Sequence, residues 1–312
     1  MTWVALAGGV GAARFLRGLV AVVPPEDVVA VVNTGDDREF YGVHVSPDLD
    51  IVTYTLAGQV DLQKGYGLAG DSFALVDALA RFGHPTWFRL GDRDFATCLH
   101  RTLRLRAGAG LAAVTDEIRC ALGVASRLLP MSEDPCPTYV GLRDGRRLHF
   151  EEYLARDGAP DEVVDVDLGA AARARPGPGV LDAIAGAEGV ILCPSNPVVS
   201  IGPILALPGV RDALRRSAAP VVAISPIVGG APVKGPADRL LRGIGAEVSA
   251  RGVAALYRDV ARGFVLDERD LEDEEDVAAL GLVPSVVDTL MTDAARAARL
   301  AEATLELARR LR

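Results

Sequence analysis

Five short apolar runs, Trp3–Ala7, Val28–Val32, Thr86–Leu90, Gly189–Cys193 and Pro220–Ile224, lack the polar alternation of a strand with one wet face. Continuous apolarity over so few residues belongs to strands covered on both sides, the environment of a parallel sheet held between helices. Helical stretches lie between the runs. Phe95, Leu99 and Leu103 recur every four residues with Arg101 and Arg104 off that face. Ala297, Leu300, Thr304, Leu307 and Leu311 mark an amphipathic closing helix. Strand–helix alternation at this scale predicts an α/β fold: a doubly wound, mostly parallel, Rossmann-like sheet.

The segment 125–172 reads differently. Thr138–Leu142 and Arg147–Phe150 flank Asp144-Gly145, a hairpin turn signal, and Val163–Val166 alternates with acidic residues. These features predict a small β-containing insert, closed by the Pro- and Gly-rich linker 173–179. The 312 residues then divide into a first part of the Rossmann-like core (1–124), the insert (125–172) and the second part of the core (173–312).

Composition narrows the partners. Lys and Arg number 33 against 42 Asp and Glu, a net charge of −9 that argues against nucleic acid on a broad basic face. Cys98, Cys120, Cys136 and Cys193 form no CxxC pair, so the reading is reduced thiols in a cytoplasmic protein. No apolar run reaches the ~18 residues of a membrane span. The start lacks a basic leader and reads as a first strand.

In open parallel sheets ligands bind beyond the carboxyl ends of the strands, and here those ends carry chemistry. The first runs into Gly8-Gly9-Val10-Gly11-Ala12-Ala13-Arg14, a glycine turn before a helix, suited to an anion. It is neither a dinucleotide fingerprint nor a Walker loop. Arg14 stands where a small residue belongs, Asn33-Thr34 replaces a ribose-binding acid, and no lysine follows the glycines. The second strand leads into Asp36, Asp37, Asp48 and Asp50, four aspartates within fifteen residues. Hard oxygen ligands suit Mg²⁺, a carboxylate here can alternatively take a proton from a hydroxyl, and Asp48 or Asp50 can cap a helix. His44 reads as structural. Later strand ends offer Ser195-Asn196, then Ser225 with Gly229, Gly230 and Lys234, one of only two lysines. Asp71 or Ser72 reads as a helix cap, and the acidic run Asp267–Asp276 as a solvated helix start.

The blocks Gly8–Arg14, Val32–Asp37, Phe40–Gly42, His44–Asp50, Tyr54–Gly58, Gly70–Phe73, Ser195–Pro197, Ser225-Pro226 with Gly229-Gly230, and Asp288–Met291 together resemble the 2-phospho-L-lactate transferase family. The Asn33–Asp50 block carries most of the specificity, and the likeness runs almost end to end. It implies a late step in making the deazaflavin hydride carrier coenzyme F-420. Members join a guanosine-diphosphate-linked three-carbon acid to the deazaflavin alcohol Fo and release GMP. Heavy Ala, Gly and Arg usage points to a GC-rich bacterial source, and bacterial members typically use the phosphoenolpyruvyl donor, with phospholactyl and phosphoglyceryl versions also known. The resemblance further implies Mg²⁺ dependence, a homodimer, and contacts to Fo from Asp50 and Arg89.

These readings combine into phosphoryl transfer, in which catalysis is mostly positioning and charge stabilisation. Asp36, Asp37, Asp48 and Asp50 are the expected metal ligands, with Asp50 first among them to orient the attacking hydroxyl, then Asp36 and Asp37. Gly8, Gly9 and Gly11 are expected to cradle phosphate with Arg14 or Lys234 in support. Asn33, Thr34, Ser195, Asn196, Ser225, Gly229 and Gly230 complete the expected substrate contacts. The competing reading is a nucleotide-sugar-binding regulator without turnover on the related fold.

Overall fold

The computed structural model describes residues 2–312. Seven parallel strands form the central sheet, in the spatial order Val283–Val287, Gly263–Asp267, Val221–Ile224, Gly189–Leu192, Trp3–Ala7, Val28–Val32 and Arg127–Pro130. The first strand is fifth in that order, inside the sheet, and the winding reverses between it and the central strand, Gly189–Leu192. Every residue of Trp3–Ala7, Val28–Val32, Gly189–Leu192, Val221–Ile224 and Gly263–Asp267 is buried. Alternate side chains of one strand feed opposite layers. Val4 and Leu6 join one core with Val29 and Val31, whereas Trp3, Ala5 and Ala7 join the other with Val28, Ala30 and Val32. The doubly wound α/β architecture is as expected. The closing helix, Ala294–Arg310, buries Ala297, Leu300, Thr304 and Leu307 against the second layer.

Two expectations fail. Thr86–Leu90 forms no strand. Its apolar residues serve a satellite cluster instead: Phe88 stacks on Phe40 with centroids 3.8 Å apart, Trp87 meets Phe40 edge-on, and Leu90 is buried with Val43, Val45, Val76 and Cys98. The helix Asp92–Arg106 is turned the other way from its leucine stripe. Leu99 and Leu103 are exposed, while Cys98, Arg101 and Thr102 are buried. The reason is electrostatic and concerns Asp50, below.

Within 125–172, Arg127–Pro130 is an edge strand of the central sheet, paired with Val28–Val32. A separate three-stranded antiparallel sheet follows, in the order Arg147–His149, Tyr139–Leu142, Val163–Asp167. Its hairpin turns at Asp144-Gly145, with Gly145 at φ 86°. Among the described residues no helix is long and apolar enough to cross a membrane, and all four cysteines are free.

Candidate active site

The reversal of winding opens a crevice above Gly8 and Cys193. Gly9 begins the first helix, Gly9–Val22, at φ 69°, a conformation that costs a side chain strain. Gly11 is required by contact: a Cβ there would lie 2.1 Å from the Pro194 carbonyl oxygen. The Ser195 hydroxyl donates to the Gly8 carbonyl at 2.8 Å, pinning the bend to the neighbouring strand end. Asp48 completes it. Its carboxylate accepts from the Gly9 amide at 2.8 Å and from the Asn33 side-chain amide at 2.9 Å, and Asn33 in turn accepts from the Gly35 amide and donates to the Val199 carbonyl. The first amide of the bend, expected to cradle phosphate, thus carries Asp48, an anion supplied by the chain itself and favoured by the helix dipole.

Around Asp48 the chain gathers acids. Asp36 is held well above the usual carboxylate range by burial first, then by Asp48, Glu151 and Asp37. Asp48 is pushed up to about 6, mainly by burial, against the pull of Asn33 and Gly9. Glu151 is pushed up to about 7 by burial and then by Asp48. Asp37 is also raised by burial, although its Oδ2 accepts from the Ser46 hydroxyl at 2.7 Å and meets His44 Nε2 at 3.1 Å. His44 is therefore a partner of the cluster. Asp36 Oδ1 is buried and makes no hydrogen bond. An orphaned carboxylate oxygen among like charges suits a hard divalent cation, with Asp36, Asp48 and Glu151 as the acids that feel one another there, while among the described residues the group whose ligand atoms lie within 4.8 Å of one another is Asp50, Asp94 and Cys98. Glu151 follows the hairpin, 115 positions after Asp36 in sequence, and only folding brings it in.

This crowding has a measurable sign. Each of these acids binds its proton more tightly folded than unfolded. The stability they lend is complete below about pH 4 and is lost as pH rises through about 6 for Asp48 and about 7 for Glu151. In the presence of a chelator, Tm is expected to fall between pH 5 and pH 8, and Mg²⁺ is expected to flatten that fall. Parallel Tm profiles with and without Mg²⁺ would remove the cluster as a cation site.

Asp50 does not converge with the other three aspartates. It shares the helix Pro47–Leu56 with Asp48. Two positions along a helix turn a side chain by about 200°, so the two carboxylates leave opposite faces. Neither caps the helix, which starts at Pro47. Asp50 meets the guanidinium of Arg101 with both oxygens, a buried bidentate pair with one contact at 3.1 Å. Arg101 Nη1 also donates to the His44 carbonyl at 3.3 Å, and the Thr102 hydroxyl accepts from the His44 amide at 2.7 Å. Asp94 lies close by, accepting from the Tyr54 hydroxyl at 2.8 Å and pushed up to about 7 by burial and then Asp50. Asp50 therefore acts through Arg101 on the segment carrying His44. Its two oxygens are engaged by Arg101, and with Asp94 and Cys98 it forms a group whose ligand atoms lie within 4.8 Å of one another.

The remaining expected residues fall in three places. Asn196 accepts from the amides of Val198 and Val199, and the Ser225 hydroxyl closes its own turn on Ile227, so both side chains are spent on loop geometry. Gly229 and Gly230, both at positive φ, form the turn between Ile227–Val228 and Ala231–Pro232, and the Gly230 amide donates to Asp270. Arg14 and Lys234 do come together, on either side of Gly65, and Lys234 donates to the Lys64 carbonyl at 3.2 Å. Burial and Arg14 lower the Lys234 ammonium. Arg89 pairs with Asp77 at 2.7 Å and lies over the Phe73 ring on the outer loop. Asp71, expected to cap its own helix, instead accepts from the Arg93 and Asp94 amides, while Asp92 caps Ala74–Ala80 in return. The acidic run does start helices, with Asp267 capping Glu268–Asp273 and most of the following acids exposed, but Asp267 itself is not solvated. It is fully buried and accepts from Thr289 and Arg269.

Beside the acid cluster lies a cleft of about 340 Å³, walled by Thr34, Asp37, His44, Tyr139 and His149 and by the 132–137 loop. Its size is that of a small-molecule site. Arg38 also lines it but is engaged by Glu152 at 3.0 Å. His149 is kept neutral, its imidazole lowered to about 4 by burial and then by Arg38. Thr34 was legible in the sequence; His149 and Tyr139 were not, because they come from the hairpin of the second sheet.

Residues 3–300 match the family described as 2-phospho-L-lactate transferase CofD. The chain is 46% identical to a phosphoenolpyruvate transferase of Kitasatospora aureofaciens, over 100% of this chain and 99% of the relative. It is 40% identical to a 2-phospho-L-lactate transferase of Methanosarcina mazei, over 96% and 98% of the two chains. A crystal structure of a UPF0052 family protein from Bacillus halodurans shares the fold, with a TM-score of 0.67 at 18% identity over 97% of this chain and 98% of that one. With its whole length aligned and its crevice built from the blocks that resembled that family, the chain belongs to the CofD family and is an enzyme of the phosphoenolpyruvate and 2-phospho-L-lactate transferase type.

Proposed function

We propose that the chain joins a guanosine-diphosphate-linked three-carbon acid to the deazaflavin Fo and releases GMP, a late step in making coenzyme F-420. The observation that carries this reading is the buried acid cluster of Asp36, Asp48 and Glu151, with an unpartnered oxygen on Asp36, at the crevice where open α/β sheets take ligands. The phosphoenolpyruvyl donor is favoured: relatives named phosphoenolpyruvate transferase align at 43–46% identity, those named 2-phospho-L-lactate transferase at 39–40%.

The terminal hydroxyl of the Fo side chain attacks the phosphorus that bears the three-carbon acid. A new P–O bond forms, the P–O bond to GMP breaks, and the hydroxyl proton passes to Asp37. Asp37 is equipped for this because Ser46 and His44 fix Oδ2 while Oδ1 is buried without a partner, and burial raises its proton affinity. Asp36, Asp48 and Glu151 would hold Mg²⁺, which when bound would neutralise the diphosphate charge. Arg14 and Lys234 add positive charge on the far side of the first helix.

The test is incubation with Fo, Mg²⁺ and phosphoenolpyruvyl- or phospholactyl-guanosine donor in competition, with products identified by mass. GMP release with the phosphoenolpyruvyl adduct in excess is expected. Binding without GMP release from either donor would sink the proposal.

A further inference from the structure

A buried ion pair is weak evidence for stability, because apolar side chains of like volume often hold a fold as well or better. Asp50 and Arg101 form such a pair, both buried, so its role is to be sought in what else Arg101 holds. Arg101 and Thr102 are successive residues of the helix Asp92–Arg106, and both end on the backbone of His44. Arg101 Nη1 spans Asp50 Oδ2 at 3.1 Å and the His44 carbonyl at 3.3 Å. The Thr102 hydroxyl gives its proton to the Cys98 carbonyl at 2.7 Å, which leaves its lone pairs for the His44 amide, also at 2.7 Å. One helix thus fixes both backbone polar groups of one residue. A turn further on, Arg106 donates to the Gly42 carbonyl at 3.1 Å, holding the tip of the hairpin made by Arg38–Phe40 and Val43–Val45. Held in this way, His44 presents Nε2 to Asp37 Oδ2 at 3.1 Å, beside the Ser46 hydroxyl. Oδ1 of Asp37 is left as the oxygen without a partner.

Resting on the assignment of Asp37 as proton acceptor, we propose that Arg101 and Thr102 are positioning residues for the transfer step. Through His44 they set the Asp37 carboxylate so that its free oxygen faces the attacking hydroxyl. Neither of the two lines the cleft. Asp50 is the counter-charge that lets a guanidinium sit in the interior at that point. A lysine at 101 keeps the charge but lacks the planar fork that reaches Asp50 and the His44 carbonyl together. A valine at 102 keeps the volume but offers the amide no acceptor.

The test is steady-state GMP release by the full-length Arg101→Lys, Thr102→Val, Thr102→Ser and Asp37→Asn proteins with Mg²⁺, Fo and the guanosine-linked donor varied in turn. Turnover is taken per Fo-binding site counted by calorimetry, so a partly unfolded preparation does not mimic the effect. R101K and T102V are expected to lower kcat about tenfold with both KM values unchanged, and T102S to recover wild-type kcat. Spectra of ring-¹⁵N-labelled histidine, with His44 assigned through His44→Gln, follow its Nε2 without reference to turnover. That resonance is expected to move in R101K and T102V and to stay in place in T102S. Wild-type kcat in R101K and T102V, a loss carried by KM, or an unmoved resonance in both overturns the positioning role. Loss of turnover in D37N in the same series then leaves Asp37 its own role. Undiminished kcat in D37N overturns the proton-acceptor assignment and the positioning role with it. If the wild type releases no GMP, the transfer reading falls, and the His44 resonance alone supports or overturns the clamp on Asp37.

Discussion

Asp50→Ala is expected to destabilise the protein by about 3–5 kcal/mol, because it strands a buried guanidinium. Arg101 is 2% exposed, and Asp94, the other acid that feels its charge, is engaged by the Tyr54 hydroxyl and itself favours its protonated form through burial. Arg101→Met alone leaves a buried carboxylate and should also destabilise, whereas the double variant should recover much of the loss. Urea unfolding of the four proteins measures this. A D50A midpoint equal to wild type would show that the pair carries no load in the fold.

Asp36→Asn is expected to act in the opposite direction. It removes a carboxyl whose ionisation is opposed by burial and by Asp48, Glu151 and Asp37, so the Tm lost in chelator as pH rises to 8 should shrink. Turnover should fall about 10²–10³-fold, the usual cost of deleting one preorganised electrostatic group. The asparagine keeps the shape of the side chain, so the loss tests charge. Undiminished GMP release, or a lower Tm under those conditions, would contradict the assignment of Asp36.

The parallel sheet was legible where strands were buried on both faces and ended in glycine or proline, as at Trp3–Ala7 and Gly189–Leu192. Arg127–Pro130 and Val283–Val287 were missed because an edge strand keeps polar or half-buried residues, here Arg127 and Ser285, and Gly263–Asp267, though buried on both faces, was missed because it ends in an aspartate that runs on into the acidic segment. Thr86–Leu90 was misread because an aromatic satellite cluster and a strand demand the same residue types. In the site, Asn33, Asp36, Asp37 and Asp48 were legible as one contiguous block after a strand. Separating Asp48 from Asp50 needed the helix to be known to begin at Pro47. Glu151, His149 and Arg101 come from other elements. A fully inward-facing arginine contradicts hydrophobic patterning, and its one signal was a helix offering Cys98 and Thr102 on the face opposite Leu99.

The interior position of the first strand bears on how the molecule is made. Its neighbours are residues 28–32 on one side and 189–192 on the other. During synthesis the amino-terminal half can pair with only one flank and must wait for nearly two thirds of the polypeptide to leave the ribosome before the other arrives. The hydroxyl of Ser195 on the Gly8 carbonyl is the last stitch of that closure. Until it forms, the nascent chain has an open seam where its catalytic crevice will be.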